Sequence, residues 1–213
     1  MDSREVILER VRRALGRKPG QKPLPPPEPL LRISYRSPAA RLALFRSQML
    51  GTVTVVREYS GVYAVVEKLL DGRTAVASGH PYLRACGLGE LAGVFTDPEE
   101  LRNACATAAA GITSAYCLLA ETGTIVLRAC PDEPRLISLL PPVHIAVVPQ
   151  DRLLTNLDEM LSMAPRPVDE DSSAMVLITG PSRTGDIEQF LVRGVHGPGE
   201  VHVVIVQGKT PPL

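Results

Sequence analysis

Two unbroken runs, His144-Ile-Ala-Val-Val148 and His202-Val-Val-Ile-Val206, constrain this chain more than any other feature. Short β-branched segments without polar alternation form strands covered on both faces, as in a parallel sheet beneath helices. Earlier segments alternate between strand and helix patterns. Val53 to Val56 reads as a strand, Val62 to Leu70 as a helix and Thr74 to Ala77 as a strand. Ser37-Pro38 caps and opens a helix whose buried stripe is Leu42, Phe45 and Met49. Asp97-Pro98 opens another that runs into Ala110. Strands are expected over Ala115 to Ala120 and Thr124 to Leu127, then a helix over Arg152 to Met163 and a polar loop over Pro165 to Ser172. This alternation predicts an α/β sheet covered by helices.

The first 36 residues stand apart from that pattern. Ser3 to Leu15 is a helical pattern with Ile7, Val11 and Leu15 on one face, capped by Asp2-Ser3 and ended by Gly16. Prolines at 19, 23, 25, 26, 27 and 29 then make an extended linker. The predicted organisation is a helical arm and linker over 1–36 and an α/β domain over 37–213. So short a helix is marginal alone, and an arm on a linker invites exchange between two copies in a homodimer. With 23 acidic and 23 basic residues, nothing attracts the chain to nucleic acid or to an anionic membrane. No apolar run is long enough to span a bilayer, and charges interrupt any leader-like start, so a cytoplasmic protein is expected.

One segment carries the sharpest chemical suggestion: Ala174-Met-Val-Leu-Ile-Thr-Gly-Pro-Ser-Arg-Thr-Gly-Asp-Ile-Glu188. Its apolar start reads as a buried strand and Gly180-Pro181 as a turn. Asp186 and Glu188 then open a short helical pattern of Ile187, Phe190 and Leu191 that Gly194 closes. That layout would set Ser182, Arg183 and Thr184 at a helix N-terminus, where backbone N–H groups hold anions. The plainer reading is a capped strand-to-helix connection.

Three further clusters have two readings each. Glu121-Thr122-Gly123-Thr124 is either a tight hairpin or a carboxylate and hydroxyls beside a close backbone approach. His144, after Pro141-Pro142, could titrate near neutral pH or satisfy a carbonyl. His196, in Gly194-Val-His-Gly-Pro-Gly199, has neighbours that leave it room, although glycines after helices are routine. His80 and His202 carry less promise. Cys86, Cys105, Cys117 and Cys130 lack the close pairing of zinc and iron–sulfur ligands and read as buried thiols, with no metal site in this chain. No Ser/His/Asp order, GxGxxG or P-loop is present, so no catalytic residue is assigned.

Taken together, the clusters resemble the LutC/YkgG family of lactate-utilisation (LUD) domain proteins. The residues that carry the resemblance are Gly111-Ile-Thr-Ser-Ala-Tyr-Cys-Leu-Leu-Ala-Glu-Thr-Gly-Thr-Ile-Val-Leu127, Pro142-Val-His-Ile145, Ile178-Thr-Gly-Pro-Ser-Arg-Thr-Gly-Asp-Ile-Glu188 and Gly194-Val-His-Gly-Pro198. The resemblance spans about Arg41 to Gln207. It implies a three-layer α/β/α NagB/RpiA/CoA-transferase-like fold with a mostly parallel sheet. It also implies a subunit of a complex that oxidises L-lactate to pyruvate, with iron–sulfur clusters held by partner subunits and no cofactor bound by this chain. The family pattern takes Asp or Glu at the position of Glu121, which suits a carboxylate that orients a ligand rather than a nucleophile. On this reading Glu121, Thr122, Gly123 and Thr124 join Gly180, Ser182, Arg183, Thr184 and His196 around a small anionic ligand. The alternative is a stand-alone CoA-transferase-like, phosphosugar or folate-type enzyme, since fold alone decides no chemistry.

Overall fold

The structure, a computed structural model, describes residues 3–16, 35–163, 174–187 and 190–208, with side chains described outside 185–193. The linker, the polar loop over 165–172, Asp2 and Glu188 lie outside the described residues. Helix α1 spans Ser3–Ala14, and its apolar stripe of Ile7, Val11 and Leu15 is exposed. Spatially the chain divides into units 1–30 and 31–213.

In the larger unit, α2 (Pro38–Gln48) begins where Ser37 accepts a hydrogen bond from the Ala40 N–H, and it buries Phe45. Strand β1 (Thr52–Val56) leads to α3 (Val62–Leu70), whose Val62, Val66 and Leu70 lie one turn apart and are buried. Then come β2 (Ala75–Ala77), α4 (Pro81–Ala85) and α5 (Pro98–Thr107), the last capped by Asp97, which accepts from the Glu99 and Glu100 N–H groups. Strands β3 (Ala110–Thr113), β4 (Cys117–Leu119) and β5 (Thr124–Arg128) precede α6 (Leu136–Leu139) and β6 (Val143–Pro149). The chain continues through β7 (Leu153–Leu154), α7 (Leu157–Met163), β8 (Met175–Ile178), β9 (Arg183–Ile187), β10 (Phe190–Arg193) and β11 (Glu200–Val206).

The central sheet has the order β1-β11-β6-β3-β2, and every neighbouring pair is parallel. One face packs Val56, Ile112, Ile145, Val147 and Val204 against α3 and α4. On the other face, Ala146, Val148, Val203 and Ile205 meet α2 and a second sheet of order β7-β4-β5-β8. Met160 of α7 covers the far side of that second sheet with Cys117, Leu119, Val126 and Leu154. Helices α5 and α6 cover Val76 at the β2 edge. The expected α/β class with a mostly parallel, helix-flanked sheet is present, and the second sheet lies between two of its layers. An internal ion pair ties that sheet to α2: Arg41 donates to Glu159 at 2.9 Å and to the Leu153 carbonyl at 3.0 Å, while Glu159 accepts from the Thr155 N–H.

Three local expectations are corrected. The helix read over Asp186 to Leu191 is an antiparallel hairpin, β9 with β10, in which Ile187 pairs with Phe190. The helix read into Ala110 stops at Thr107, and Ala110–Thr113 is a central strand because β2 and β6 bond it on either side. The helix read over Arg152 to Met163 is a 3-10 turn, β7 and then α7, which starts after Asn156 accepts from the Glu159 N–H.

Candidate functional site

The residues singled out in the sequence gather at the amino edge of the parallel sheet, in two groups. The first is the β4–β5 turn. Gly123 adopts φ +64°, and a Cβ there would meet the backbone of Gln48 and Met49 at 2.6 and 2.5 Å, so only glycine lets the turn close on the end of α2. Thr124 is buried and links the Thr122 hydroxyl at 2.7 Å to the Thr179 hydroxyl at 3.0 Å. Gly180 follows at φ +141° against Leu50. Glu121 is exposed, and its N–H donates to the Thr155 carbonyl. Here the hairpin reading holds, with an available carboxylate at its tip.

The second group surrounds the start of β11. The Ser182 N–H donates to the Pro198 carbonyl at 2.8 Å, and the Gly194 N–H donates to the Ser182 carbonyl at 3.0 Å. Gly199 in turn donates to Pro142. Arg183 and His196 are exposed, and Thr184 is half-buried. With a hairpin in place of the helix, Ser182 and Thr184 have no helix N-terminus beside them. Positive charge near this loop comes instead from Arg73, across an open cleft of about 550 Å³ that Pro142, Val143, Gly194, Gly199 and Glu200 also line. The Arg73 guanidinium additionally donates to the Leu69 and Leu70 carbonyls at the end of α3.

Histidines behave differently from one another. His144 is fully buried, shares a 2.8 Å hydrogen bond with Thr113 through Nε2, and has its pKa pushed down to about 4 by desolvation and then by His202. It is a neutral core group with Nδ1 unpartnered. His202 bonds to the Thr52 hydroxyl through Nδ1 and lies 3.7 Å from Glu200, and burial outweighs that carboxylate in lowering its pKa.

At the opposite, carboxyl edge lies a polar cluster that the sequence analysis missed. Ser78 follows β2, Ser114 follows β3, and Glu133 sits in the loop after β5, all three buried. The Glu133 carboxylate accepts from the Ser114 N–H at 3.2 Å. Desolvation lifts its pKa to about 7, partly offset by Ser78 and the Ser114 amide and reinforced by Asp132. The Ser78 hydroxyl faces this carboxyl without full hydrogen-bond geometry, so Ser78 Oγ and Glu133 Oε1 both lack a partner. His80, set aside in the sequence, belongs here: its Nδ1 accepts from the Tyr82 N–H at 3.1 Å, and desolvation lowers its pKa against the pull of Asp132. The only sequence signals were Ser78-Gly-His-Pro81 after an apolar strand and Asp132-Glu-Pro134 in a turn.

Cys86, Cys105 and Cys117 are buried and Cys130 is partly so, all four free, and burial pushes the first three thiols up. Among the described residues, no group of three or more His, Cys, Asp or Glu is placed to hold a metal ion, and no helix is long and apolar enough to cross a membrane.

Comparison with known proteins adds a family to this geometry. The LUD domain profile matches residues 54–206. A lactate utilization protein C from Exiguobacterium is 40% identical over 114 residues, covering 52% of this chain and 50% of the relative. One from Bacillus subtilis is 36% identical over 102 residues, covering 46% and 42%. The chain thus spans about half the length of the curated relatives it matches. A crystal structure described as a DUF162 family protein from Deinococcus radiodurans superposes with a TM-score of 0.61 at 24% identity, over 81% of this chain and 99% of that one, which establishes a shared fold. With the profile match running from β1 to the end of β11, the chain belongs to the LUD domain family.

Proposed function

We propose that this protein works in lactate utilisation, as a subunit of a complex that oxidises L-lactate to pyruvate on iron–sulfur clusters carried by partner chains. The match of the LUD domain across the whole central sheet, with relatives described as lactate utilization proteins C, carries the reading. Oxidising lactate removes two electrons and two protons from the hydroxyl-bearing carbon and its oxygen. The partners' clusters would take the electrons, leaving this chain to bind, orient or dock. The amino edge is proposed to receive a small anion. Glu121, Thr122, Gly123 and Thr124, with Gly180, Ser182, Arg183, Thr184 and His196, would border it, and the Arg73 guanidinium would attract it. Glu121 at an exposed turn does not favour the CoA-transferase alternative, which requires a sheltered nucleophile.

The experiment is affinity purification of the tagged protein from cells grown on L-lactate, assayed for iron and for lactate-dependent dye reduction. Co-purifying iron subunits that oxidise lactate are expected. Recovery of the chain alone, together with unimpaired growth of a deletion strain on lactate, overturns the reading. Intact small-anion affinity in a Ser182→Ala, Thr184→Ala variant removes the amino-edge ligand.

A further inference from the structure

We propose that the cleft at the amino edge of the parallel sheet is a binding site for a small aliphatic α-amino acid, whose carboxylate pairs with Arg73 and whose ammonium pairs with Glu200. The inference goes beyond the lactate reading and does not rest on it. The cleft, of about 550 Å³, falls within the size range of small-ligand sites. Arg73 and Glu200 are the only charged residues that line it. They share the cleft yet form no ion pair with one another. Backbone groups offer an anion little there. The Gly194 N–H donates to the Ser182 carbonyl, and the Gly199 and Glu200 N–H groups both donate to the Pro142 carbonyl. Recognition therefore falls to the two charged side chains.

Arg73 is anchored rather than free to swing. Its Nε and Nη2 donate to the Leu70 and Leu69 carbonyls at 3.0 and 2.8 Å, which leaves Nη1 to meet a carboxylate. Glu200 opens β11 and shares a strand face with His202, two residues on. His202 Nε2 is buried without a hydrogen-bond partner, 3.7 Å from the Glu200 carboxylate. That separation is too long for a direct hydrogen bond but lets one ammonium donate to both atoms. The other ring nitrogen, Nδ1, is engaged with the Thr52 hydroxyl, and a proton on Nδ1 makes Nε2 an acceptor. Burial holds the His202 pKa down, while Glu200 raises it and Arg73 lowers it, so both charges act on this ring. A simple anion would satisfy Arg73 and be repelled by Glu200, and a simple cation would meet the reverse. An α-amino acid carries both charges about one carbon and satisfies both residues with no net charge brought in. Ala109, Pro142 and Val143, which also line the cleft, suit an aliphatic side chain.

The test is a ligand-observed NMR titration of the full chain with L-alanine, with L-lactate, which has a hydroxyl in place of the ammonium, and with ethylamine, which lacks the carboxylate. L-alanine is expected to bind more tightly than either. Glu200→Gln should weaken L-alanine about tenfold or more, as expected for losing a charge-assisted pair, and should leave L-lactate no weaker. The Glu200 side chain is 61% exposed, so this variant should fold normally. Glu58→Gln, exposed beyond the carboxyl end of β1, is the charge-matched control, expected to bind as wild type. Arg73→Gln should weaken both acids; because Arg73 also caps α3, the Glu200 variant carries the decision. No L-alanine binding, an unaffected Glu200→Gln, or L-lactate bound as tightly as L-alanine overturns the site. The last result would return the cleft to the small anion of the lactate reading. None of these results depends on the iron-partner purification, so the amino-acid site and the lactate role fail separately.

Discussion

The two ends of the parallel sheet solve opposite problems. At the amino edge, glycines are wedged against α2 and Leu50, threonine hydroxyls satisfy one another, and the functional-looking groups Glu121, Arg183 and His196 stand in solvent. At the carboxyl edge the polar groups are enclosed, one carboxyl carries a raised pKa, and two oxygens are unmatched. Unmatched buried oxygens mark the second end, whereas at the first the unmatched buried atoms are the ring nitrogens His144 Nδ1 and His202 Nε2. Recognisable motifs in this chain therefore mark where the backbone must close tightly, while the unmatched oxygens collect where loops from separate strands converge.

The strongest way to break this contrast is Gly123→Val. It combines a strained φ with a clash against backbone atoms and should destabilise the fold by about 3 kcal/mol or more, read as a fall in melting temperature. A tolerated valine would mean the amino edge is not fixed by packing.

Almost as large is the expected pH effect at the other end. Unfolded, Glu133 releases its proton near 4.5; folded, it holds it to about 7. The folded state binds the extra proton between those values, so stability falls as pH rises from about 4.5 through about 7. The loss should reach roughly 3 kcal/mol, and Glu133→Gln should flatten it in urea titrations at several pH values. His144 tilts the other way. Its depressed pKa makes stability fall as pH drops from 6.5 through about 4, and His144→Asn should remove that slope.

Thr124→Val gives the smallest change. It deletes the middle hydroxyl of three, but Thr122 and Thr179 are exposed and can turn to water, so a loss of about 1 kcal/mol is expected. A cost of several kcal/mol would show that the threonine chain, rather than the glycines, holds the amino edge together.

Sequence pattern reached most of the fold because most of it is locally written. Helix α3 has the predicted bounds, Val62–Leu70, since its buried stripe and Gly61 and Gly72 on either side leave little choice. The β9–β10 hairpin escaped because Ile187, Phe190 and Leu191 fall at spacings that serve a helix as readily as a hairpin turn. Strand β3 escaped because an alanine-rich stretch continues the helix before it, and only bonding to β2 and β6, distant in sequence, makes it a strand. The same distance hid the carboxyl-edge cluster. Ser78, Ser114 and Glu133 are unremarkable in their own neighbourhoods and meet only when three strand ends are brought level.

Cys130 faces Glu133 across a small antiparallel bridge, with the amide of each donating to the carbonyl of the other, and it is the one cysteine that is not buried. The chain contains no tryptophan, so ordinary fluorescence reports little of its movements. Maleimide labelling would therefore select this single thiol in the native protein, and its rate would clock how often the Glu133 loop lifts away from the sheet. A ligand that closes over that loop should slow the labelling, giving the protein an optical reporter without any engineered residue.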